Sequence, residues 1–229
     1  MKRLEGASEL LDGPLDDPAN LAANLRDISR LNRLTGGARV SLRAIRAFGD
    51  ATTILDIGTG AADIPALLLA DARRRGVALE VTATDSRPEV LAAAGLARVG
   101  LPSMPGLVLA VADGRSLPYP DTSFDVSHAS LVLHHLERQD AIAFLREMQR
   151  VSRLGIVVND LARGLSFWIG AWLLTHTLAA SRYTRHDGPL SVRRAWTREE
   201  MSGLLRDAGL TPVATFVGFV GHRYAIAAR

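Results

Sequence analysis

Apolar residues recur every three or four positions in the first fifty residues of the chain. They include the series Leu21, Leu25, Ile28, Leu31 and Leu34. This spacing is that of one face of an α-helix, so we expect residues 1–50 to form a helical cover. Gly36 and Gly37 interrupt the series, and a second helix is predicted over 38–47.

After residue 51 the pattern changes to short apolar runs that alternate with segments of helical period. This alternation predicts βα units around a parallel sheet, and five such strands give a doubly wound α/β fold. The predicted strands are 53–57, 79–84, 107–112, 124–128 and 156–159, followed by an antiparallel hairpin of 213–219 and 224–228. A capping box from Thr197 to Glu200 predicts the start of a helix that ends near Gly209. We expect residues 51–229 to form one domain.

One later segment, at 165–180, is strongly apolar and carries two of the three tryptophans. A helix needs about 20 apolar residues to span a bilayer. We therefore predict a helical lid insert over about 162–196 and no stable membrane insertion, with contact to a membrane surface as the alternative. Two roles stay open for Phe167, Trp168, Trp172 and Leu173: packing in the hydrophobic core, or forming a wall over a large apolar substrate.

Composition narrows the class of protein without naming a partner. Hydrophobic residues are 48% and charged residues 22% of the 229, as in ordinary globular proteins. The absence of cysteine excludes disulfides, thiolate zinc sites and cysteine nucleophiles. All but one of the 27 basic residues are arginines spread along the chain, so nothing favours a nucleic-acid partner. The start lacks the apolar core of a signal peptide, and a cytoplasmic location is expected.

A glycine turn follows the first predicted strand, in the sequence ILDIGTGAADIP at 54–65. Gly58 and Gly60 let the backbone turn tightly and approach a ligand closely. Such a turn also occurs in dinucleotide-binding folds, where a third glycine precedes a helix that holds a diphosphate. Asp63 stands at that position here and would repel a diphosphate. Together with Asp56 it favours S-adenosylmethionine, which carries a positive sulfonium and ammonium, over NAD.

Two further acids follow the next two predicted strands. Asp85 comes directly after 79–84 and could accept hydrogen bonds from both ribose hydroxyls of either cofactor. Asp113 comes after 107–112 and could accept the adenine amino group. Three acids at three successive strand ends form a more specific pattern than the glycine turn alone.

These motifs resemble the class I S-adenosylmethionine-dependent methyltransferases, especially their small-molecule branch. The matching stretches are LDIGTG at 55–60, Asp85, ADG at 112–114 and LPYPDTSFDVSHASLVLHHL at 117–136. The resemblance implies S-adenosylmethionine as cofactor and a seven-stranded Rossmann-like sheet of order 3-2-1-4-5-7-6 with strand 7 antiparallel. The residues expected to hold the cofactor are Asp56, Gly58, Gly60, Asp85, Ser86, Asp113, Gly114 and Ser130. The chain departs from the family at Ala62, where a third glycine is usual, and at 151–155, where a Pro-Gly turn is usual.

Three histidines are candidates for the base that removes a proton from an acceptor hydroxyl. His134 and His135 fall where the family holds the methyl donor, with a role in the pocket wall as the alternative. His186 falls in the insert, which commonly covers the substrate in this family, with a solvated loop as the alternative. Adjacent His186 and Asp187 are not expected to bond to each other as a dyad. No metal site is expected, because the histidines are scattered along the sequence without an acidic cluster beside them.

The resemblance implies methyl transfer to a small hydrophobic acceptor, and we expect O-methylation of a phenolic or polyketide-like hydroxyl. A C-methyltransferase of quinone-type biosynthesis is the alternative, because PDTSFDV at 120–126 also resembles that group. A protein that binds the cofactor without turnover is a second alternative, and the dispersed arginines disfavour an RNA methyltransferase. The oligomeric state stays open and includes a homodimer.

Overall fold

The computed structural model describes residues 1–15, 17–49 and 51–229. Asp16 and Asp50, which fall within the predicted helical cover, lie outside the described residues. The strands of the described part are β1 (Thr53–Ile57), β2 (Glu80–Asp85), β3 (Leu107–Val111), β4 (Phe124–Ser130), β5 (Ser152–Leu161), β6 (Pro212–Val217) and β7 (Arg223–Ala228). Its α-helices are α1 (Pro18–Thr35), α2 (Gly37–Arg46), α3 (Asp63–Arg75), α4 (Pro88–Ala97), α5 (Arg138–Arg150), α6 (Leu165–Leu178), α7 (Arg182–Arg194) and α8 (Arg198–Asp207).

The sheet has the order β3-β2-β1-β4-β5-β7-β6, and β7 is antiparallel to both of its neighbours, which confirms the predicted topology. The strands from β1 to β5 pair in parallel. Parallel strands bring their carboxyl ends to one edge of the sheet. In open α/β sheets ligands bind beyond that edge where the strand order reverses, which is between β1 and β4 here.

Apolar packing closes both faces of the sheet. On one face α5 and α8 bury Leu145, Met148 and Leu204 completely. On the other face α2 and α3 contribute Ile45 and Leu68. A sheet buried on both faces needs apolar side chains on both sides of its strands, which explains the continuous apolar runs in the sequence.

The start of the predicted helical cover over 1–50 is not an α-helix. In the described residues 1–15 the helical element is a short 3-10 turn at Leu10–Asp12. The backbone N–H groups of Leu10 and Leu11 donate to the Asp187 carboxylate, at 2.8 and 3.1 Å. Tertiary hydrogen bonds therefore replace helical ones, which the apolar spacing could not reveal.

Two adjacent glycines separate the first two α-helices, as the sequence predicted. Gly36 ends α1 with φ +78°, in the left-handed region that favours glycine. Gly37 begins α2, and a Cβ there would lie 3.1 Å from Cζ of Arg223. The second helix lies within one residue of the predicted 38–47.

The fifth strand is longer than predicted. It begins at Ser152, so most of the 151–155 segment that was expected to be a turn is strand. The pairing with β4 shifts register there, which marks a bulge. Gly155 lies in the bulge with φ +148°, and a Cβ would come within 2.5 Å of the Ala228 carbonyl oxygen. The glycine thus serves close packing inside the sheet.

The insert consists of two helices that pack against each other, α6 and α7, and α7 also contacts α1. The alternative that His186 lies in a solvated loop is wrong, because this residue lies within α7. No helix in the described part of the chain is long and apolar enough to cross a membrane. Both helices of the insert reach over the carboxyl edge of the sheet, where a cavity lies.

Candidate active site

A cavity of about 790 Å³ opens at the carboxyl edge of the sheet. The turn between β1 and α3 and the residues after β2 and β4 form its polar end, and α1, α6 and α7 form its apolar end. The predicted cofactor residues that line it are Asp56, Gly58, Gly60, Asp85, Ser86 and Ser130. The structure therefore brings together most of the predicted cofactor set.

The glycine turn forms the floor of the polar end. Gly58 has φ +69°, and a Cβ there would lie 2.5 Å from Cγ2 of Val132, so only glycine fits. Gly60 also adopts a positive φ, and so does Ala62, which caps α3 in place of the usual glycine. The buried hydroxyl of Thr59 has no hydrogen-bond partner among the described residues. A tight backbone with an unpartnered hydroxyl suits a ligand that comes close to the main chain.

Asp85 extends from the end of β2 beside this turn. Its carboxylate accepts hydrogen bonds from the backbone N–H groups of Gly60, at 3.2 Å, and Arg87, at 3.1 Å. Burial nevertheless raises the pKa of Asp85, because two hydrogen-bond donors do not fully offset the cost of burying the charged carboxylate. Two vicinal hydroxyls would supply donors. Ser86 follows in an exposed position on the cavity wall.

Asp56 is buried beneath the same end of the cavity, in a chain of polar contacts that the sequence did not predict. Its Oδ1 lies 2.5 Å from Nδ1 of His128, whose Nε2 lies 2.7 Å from Oγ of Ser41. The Asn159 amide donates to the same hydroxyl at 2.6 Å. His128 is fully buried and linked to this acid, so the structure gives it a positioning role under the cavity.

A buried arginine continues the chain of contacts toward a second acid. Arg223 donates to Oδ1 of Asn159 at 2.9 Å, to Oδ1 of Asn32 at 3.1 Å and to the Ser130 hydroxyl at 3.0 Å. The Asn32 amide in turn donates to Asp63 at 3.2 Å. Burial lowers the pKa of Arg223 to about 10 and raises that of Asp63. The sequence analysis missed Arg223. The signal that could have found it is a charged residue at the start of a strand whose other residues, YAIAA, are largely apolar.

Two predicted cofactor residues lie outside the cavity. Asp113 is exposed, and Arg115 holds its carboxylate through Nε at 3.2 Å and Nη2 at 2.9 Å. These hydrogen bonds lower the pKa of Asp113. Gly114 packs against Phe144, where a Cβ would lie 2.2 Å from a ring carbon. This arrangement disfavours the adenine contact expected of Asp113, because Arg115 already pairs with its carboxylate after the edge strand β3.

His134 lies on the cavity wall and is held by a buried carboxylate. Its Nδ1 is 2.7 Å from Oδ1 of Asp160, and its backbone N–H donates to Oδ2 of the same residue at 3.1 Å. Burial alone would raise the pKa of Asp160, but electrostatic attraction to His134 and the hydrogen bond with it hold this pKa below its usual range. Nε2 of His134 has no hydrogen-bond partner among the described residues, which is the geometry of an oriented general base.

A glutamate from the N-terminal segment faces both cavity histidines. Oxygen atoms of the Glu9 carboxylate lie 3.8 Å from Nε2 of His134 and 3.8 Å from Nε2 of His135. Nδ1 of His135 is 2.9 Å from Asp12. Burial raises the pKa of Glu9 to about 7, although the Ser191 hydroxyl donates to it at 2.9 Å. The sequence gave no local signal for Glu9, which is 125 positions from His134.

Two of the histidines are not scattered in space, although the sequence suggested that they would be. Ligand atoms of Glu9, His134 and His135 lie within 4.8 Å of one another, a spacing that a metal ion could use. However, Nη1 of Arg194 lies 3.5 Å from the Glu9 carboxylate, and a guanidinium there opposes a divalent cation. The absence of a metal stays a prediction.

His186 is not brought to the cavity with the other two candidate bases. Its half-exposed side chain points from α7, and Nδ1 lies 2.7 Å from Oδ1 of Asp187. The expectation that these neighbours would not bond is therefore wrong, because on α7 the two side chains come within hydrogen-bond distance of each other. His186 lies outside the cavity wall, whereas Asp187 lines the cavity.

The apolar end lies between helices of both the N-terminal segment and the insert. Its wall includes Ile28, Leu31, Phe167, Ala171, Leu174 and Val192. Trp172, a candidate for this wall, lies outside it, is 45% exposed and stacks on His176. His222 lines the cavity, and neither of its ring nitrogens has a hydrogen-bond partner in the part of the chain described. An acceptor bound here would meet apolar walls and one unpaired imidazole.

Known proteins are similar to this chain in sequence. Residues 55–158 match the family described as methyltransferase domain. A ubiquinone/menaquinone biosynthesis C-methyltransferase UbiE of Bordetella parapertussis is 31% identical over 182 residues, 71% of this chain and 65% of that protein. A demethylmenaquinone methyltransferase of Roseiflexus castenholzii is 29% identical over 194 residues, 79% of this chain and 76% of that protein. The chain spans less than two thirds of the length of most curated relatives it matches.

Solved structures share the fold. A SAM dependent methyltransferase from Aquifex aeolicus has a TM-score of 0.64 and 20% identity, and the match covers 93% of this chain and 97% of that one. Identity at this level supports the fold alone, while the matched residues 55–158 carry the glycine turn and the acid after β2. The chain therefore belongs to the class I S-adenosylmethionine-dependent methyltransferases.

Proposed function

We propose that this protein binds S-adenosylmethionine at the polar end of the cavity and methylates a ring carbon of a small hydrophobic, hydroxylated acceptor at the apolar end. One observation carries the proposal. A single continuous cavity joins the acidic glycine turn to the helices of the insert, with His134 on its wall between them. The expected cytoplasmic location is part of this proposal.

The polar end suits this cofactor by charge and by space. The Asp85 carboxylate offers acceptors for two ribose hydroxyls, and the Gly58 backbone leaves no room for a side chain. Asp56 and Asp63 are the acids that would face the ammonium and sulfonium groups of the bound cofactor. The same acids disfavour the diphosphate of NAD. The contribution of Asp113 to adenine binding stays a prediction.

The cofactor supplies an activated methyl group on a sulfonium, so the protein has to align the acceptor and accept a proton. In the proposed reaction the acceptor gains a carbon–carbon bond to the methyl group, the carbon–sulfur bond breaks with its electron pair left on sulfur, and the acceptor loses one proton. Nε2 of His134 would accept the proton of the ring hydroxyl, which makes the neighbouring ring carbon nucleophilic. After transfer the methylated carbon loses its own proton and the oxygen regains one, which restores the aromatic ring and leaves a net loss of one proton. His222 can donate or accept at a second oxygen of the acceptor.

Transfer to carbon is preferred over the O-methylation expected from the sequence, because the UbiE relatives carry the name of a ubiquinone/menaquinone biosynthesis C-methyltransferase. O-methylation of a phenolic hydroxyl remains the second candidate, since it needs the same base and the same apolar site. Both reactions consume the same cofactor, so the product alone separates them.

The test is a methylation assay with S-adenosylmethionine labelled with ¹³C in the methyl group, and with hydrophobic hydroquinones and phenols as acceptors. Carbon NMR of the product distinguishes a methyl on carbon from one on oxygen. Calorimetry with the cofactor runs alongside. Absence of heat at millimolar cofactor, or micromolar binding of NAD, would refute the cofactor assignment. Cofactor binding without any methylated product would favour a non-catalytic binding protein.

A further inference from the structure

The outer face of α6 is apolar and exposed to an extent unusual for a surface helix. Its exposed large side chains, between 38% and 64% accessible, are Leu165, Ile169, Trp172, Leu173, Leu174 and Leu178. The helix contains no acidic residue, lysine or arginine. In the turn between β6 and β7, Phe219 is fully exposed and Val220 is 61% exposed. We call these eight residues the α6 face.

The α6 face surrounds one mouth of the cavity. Leu174 and Val220 are exposed to solvent and also line the cavity, so the cavity opens between α6 and the β6–β7 turn. The turn touches the helix, since a Cβ on Gly221 would lie 3.6 Å from the Phe167 ring. An acceptor that enters by this mouth therefore passes the apolar side chains that form the rim of the mouth.

Positive charge lies at both ends of the α6 face, and negative charge is absent from its sequence. No aspartate or glutamate occurs from 161 to 186. At the start of α6 the Arg163 side chain is buried and paired with Glu200 at 2.6 Å, and its hydrogen bond to the Met1 carbonyl at 2.9 Å places exposed Lys2 near that end. At its other end, Arg185 donates to the Ala179 carbonyl at 3.1 Å.

We propose that the α6 face docks on an anionic lipid bilayer and that the acceptor enters the cavity directly from the lipid. An exposed apolar helix that is too short to span, carries a tryptophan and has cations at its ends fits the headgroup boundary of a membrane. The lipid nature of the acceptor rests on the proposed function. The docking itself rests on exposure, charge and the position of the mouth.

The same features disfavour a second copy of the chain as the occupant. In a two-fold dimer the α6 helices of the two copies run either parallel or antiparallel across the interface. Exposed Lys2 lies near one end of the helix and exposed Arg185 beyond the other, so either arrangement sets like charges against each other. Anionic headgroups neutralise both ends at once.

The experiment is flotation of the full-length protein with vesicles of phosphatidylcholine and phosphatidylglycerol at 3:1, compared with phosphatidylcholine alone. We expect binding to the anionic vesicles that weakens at high salt. Leu173→Glu and Phe219→Glu should each reduce the bound fraction at least tenfold. Val99→Glu is the matched control, because Val99 is 97% exposed but follows α4 at the opposite edge of the sheet.

Tryptophan fluorescence gives a second readout at the face itself. Brominated lipids should quench part of the emission of the wild type, and Trp172→Phe should remove most of the quenching while vesicle binding persists. Absence of flotation in the wild type, or equal loss in Val99→Glu, would overturn the proposal. So would a dimer in light scattering that Leu173→Glu dissociates while vesicles bind neither form.

The outcome can be separated from that of the proposed function. Leu173→Glu should keep its heat of cofactor binding and its turnover of a water-soluble, short acceptor, since Leu173 lies outside the cavity. It should lose turnover of an acceptor presented in vesicles. A wild type that floats with vesicles and methylates no acceptor would leave docking intact and refute the proposed reaction.

Discussion

Replacing Asp160 with Asn tests whether His134 acts as an oriented base. The substitution keeps size and one oxygen acceptor, but it removes the charge that faces Nδ1 of His134 at 2.7 Å. A hydrogen bond to a charged group is worth about 1.5 to 3 kcal/mol, which corresponds to roughly a 10- to 150-fold loss in kcat. His134→Gln removes the base itself and should cost about 10² to 10⁴ in kcat. The double variant should be no slower than His134→Gln.

The chain provides a matched control for this pair. His186 and Asp187 have the same 2.7 Å separation between Nδ1 and a carboxylate oxygen, but the imidazole lies outside the cavity. His186→Gln should therefore keep kcat within about threefold, well below the general-base range. The assay is steady-state kinetics with calorimetry of cofactor binding and a thermal melt for each variant. Equal losses in His186→Gln and His134→Gln, or loss of cofactor affinity in place of kcat, would refute the role of His134.

Three further substitutions test the cofactor site and one buried carboxylate. Asp85→Ala should weaken S-adenosylmethionine binding at least tenfold, at about 1.5 to 3 kcal/mol for each lost hydrogen bond, while Asp113→Ala should change it little in calorimetry. Gly58→Ala places a methyl against a neighbouring valine and should lower the free energy of unfolding by about 2 kcal/mol or more in chemical denaturation. Burial alone would raise the pKa of Asp125, but backbone hydrogen bonds just before β1 and a guanidinium lower it to about 2. The ionised Asp125 thus adds about 2 kcal/mol to the free energy of unfolding above pH 4, and this contribution is lost as the pH falls toward 2. Asp125→Asn should remove this pH dependence of the free energy of unfolding, whereas the control Asp121→Asn, at an exposed position, should keep it.

The parts of the fold that follow local rules could be predicted from the sequence. β1 was predicted at its observed bounds, because a buried parallel strand is a short apolar run and the glycine turn marks its end. The order of all seven strands followed from the family resemblance and is confirmed. Strand ends moved by a few residues where pairing extended beyond the apolar run, most clearly at β5, which starts with polar Ser152 and Arg153.

The parts that depend on contacts between distant segments could not be predicted. Asp160 is the penultimate residue of β5 and meets His134 only because β5 neighbours β4. Glu9 reaches the same histidine from a segment whose apolar spacing suggested helix. Asp113 was placed correctly at a strand end, but whether its carboxylate faces the cavity depends on Arg115, two residues later. Spacing along the chain carries no information on such partners.

The N-terminal segment links the two ends of the cavity, which explains why its residues form a turn instead of a helix. Arg87, in the loop after β2, donates to the carbonyl oxygens of Leu11 at 3.0 Å and Gly13 at 2.7 Å. Between them Asp12 contacts His135, on the wall with the proposed base. A helix would use these carbonyls internally and leave the arginine without its acceptors. We therefore expect a ligand that shifts the Asp85 loop to shift the acidic partners of the histidines as well, so that the two ends of the cavity respond together.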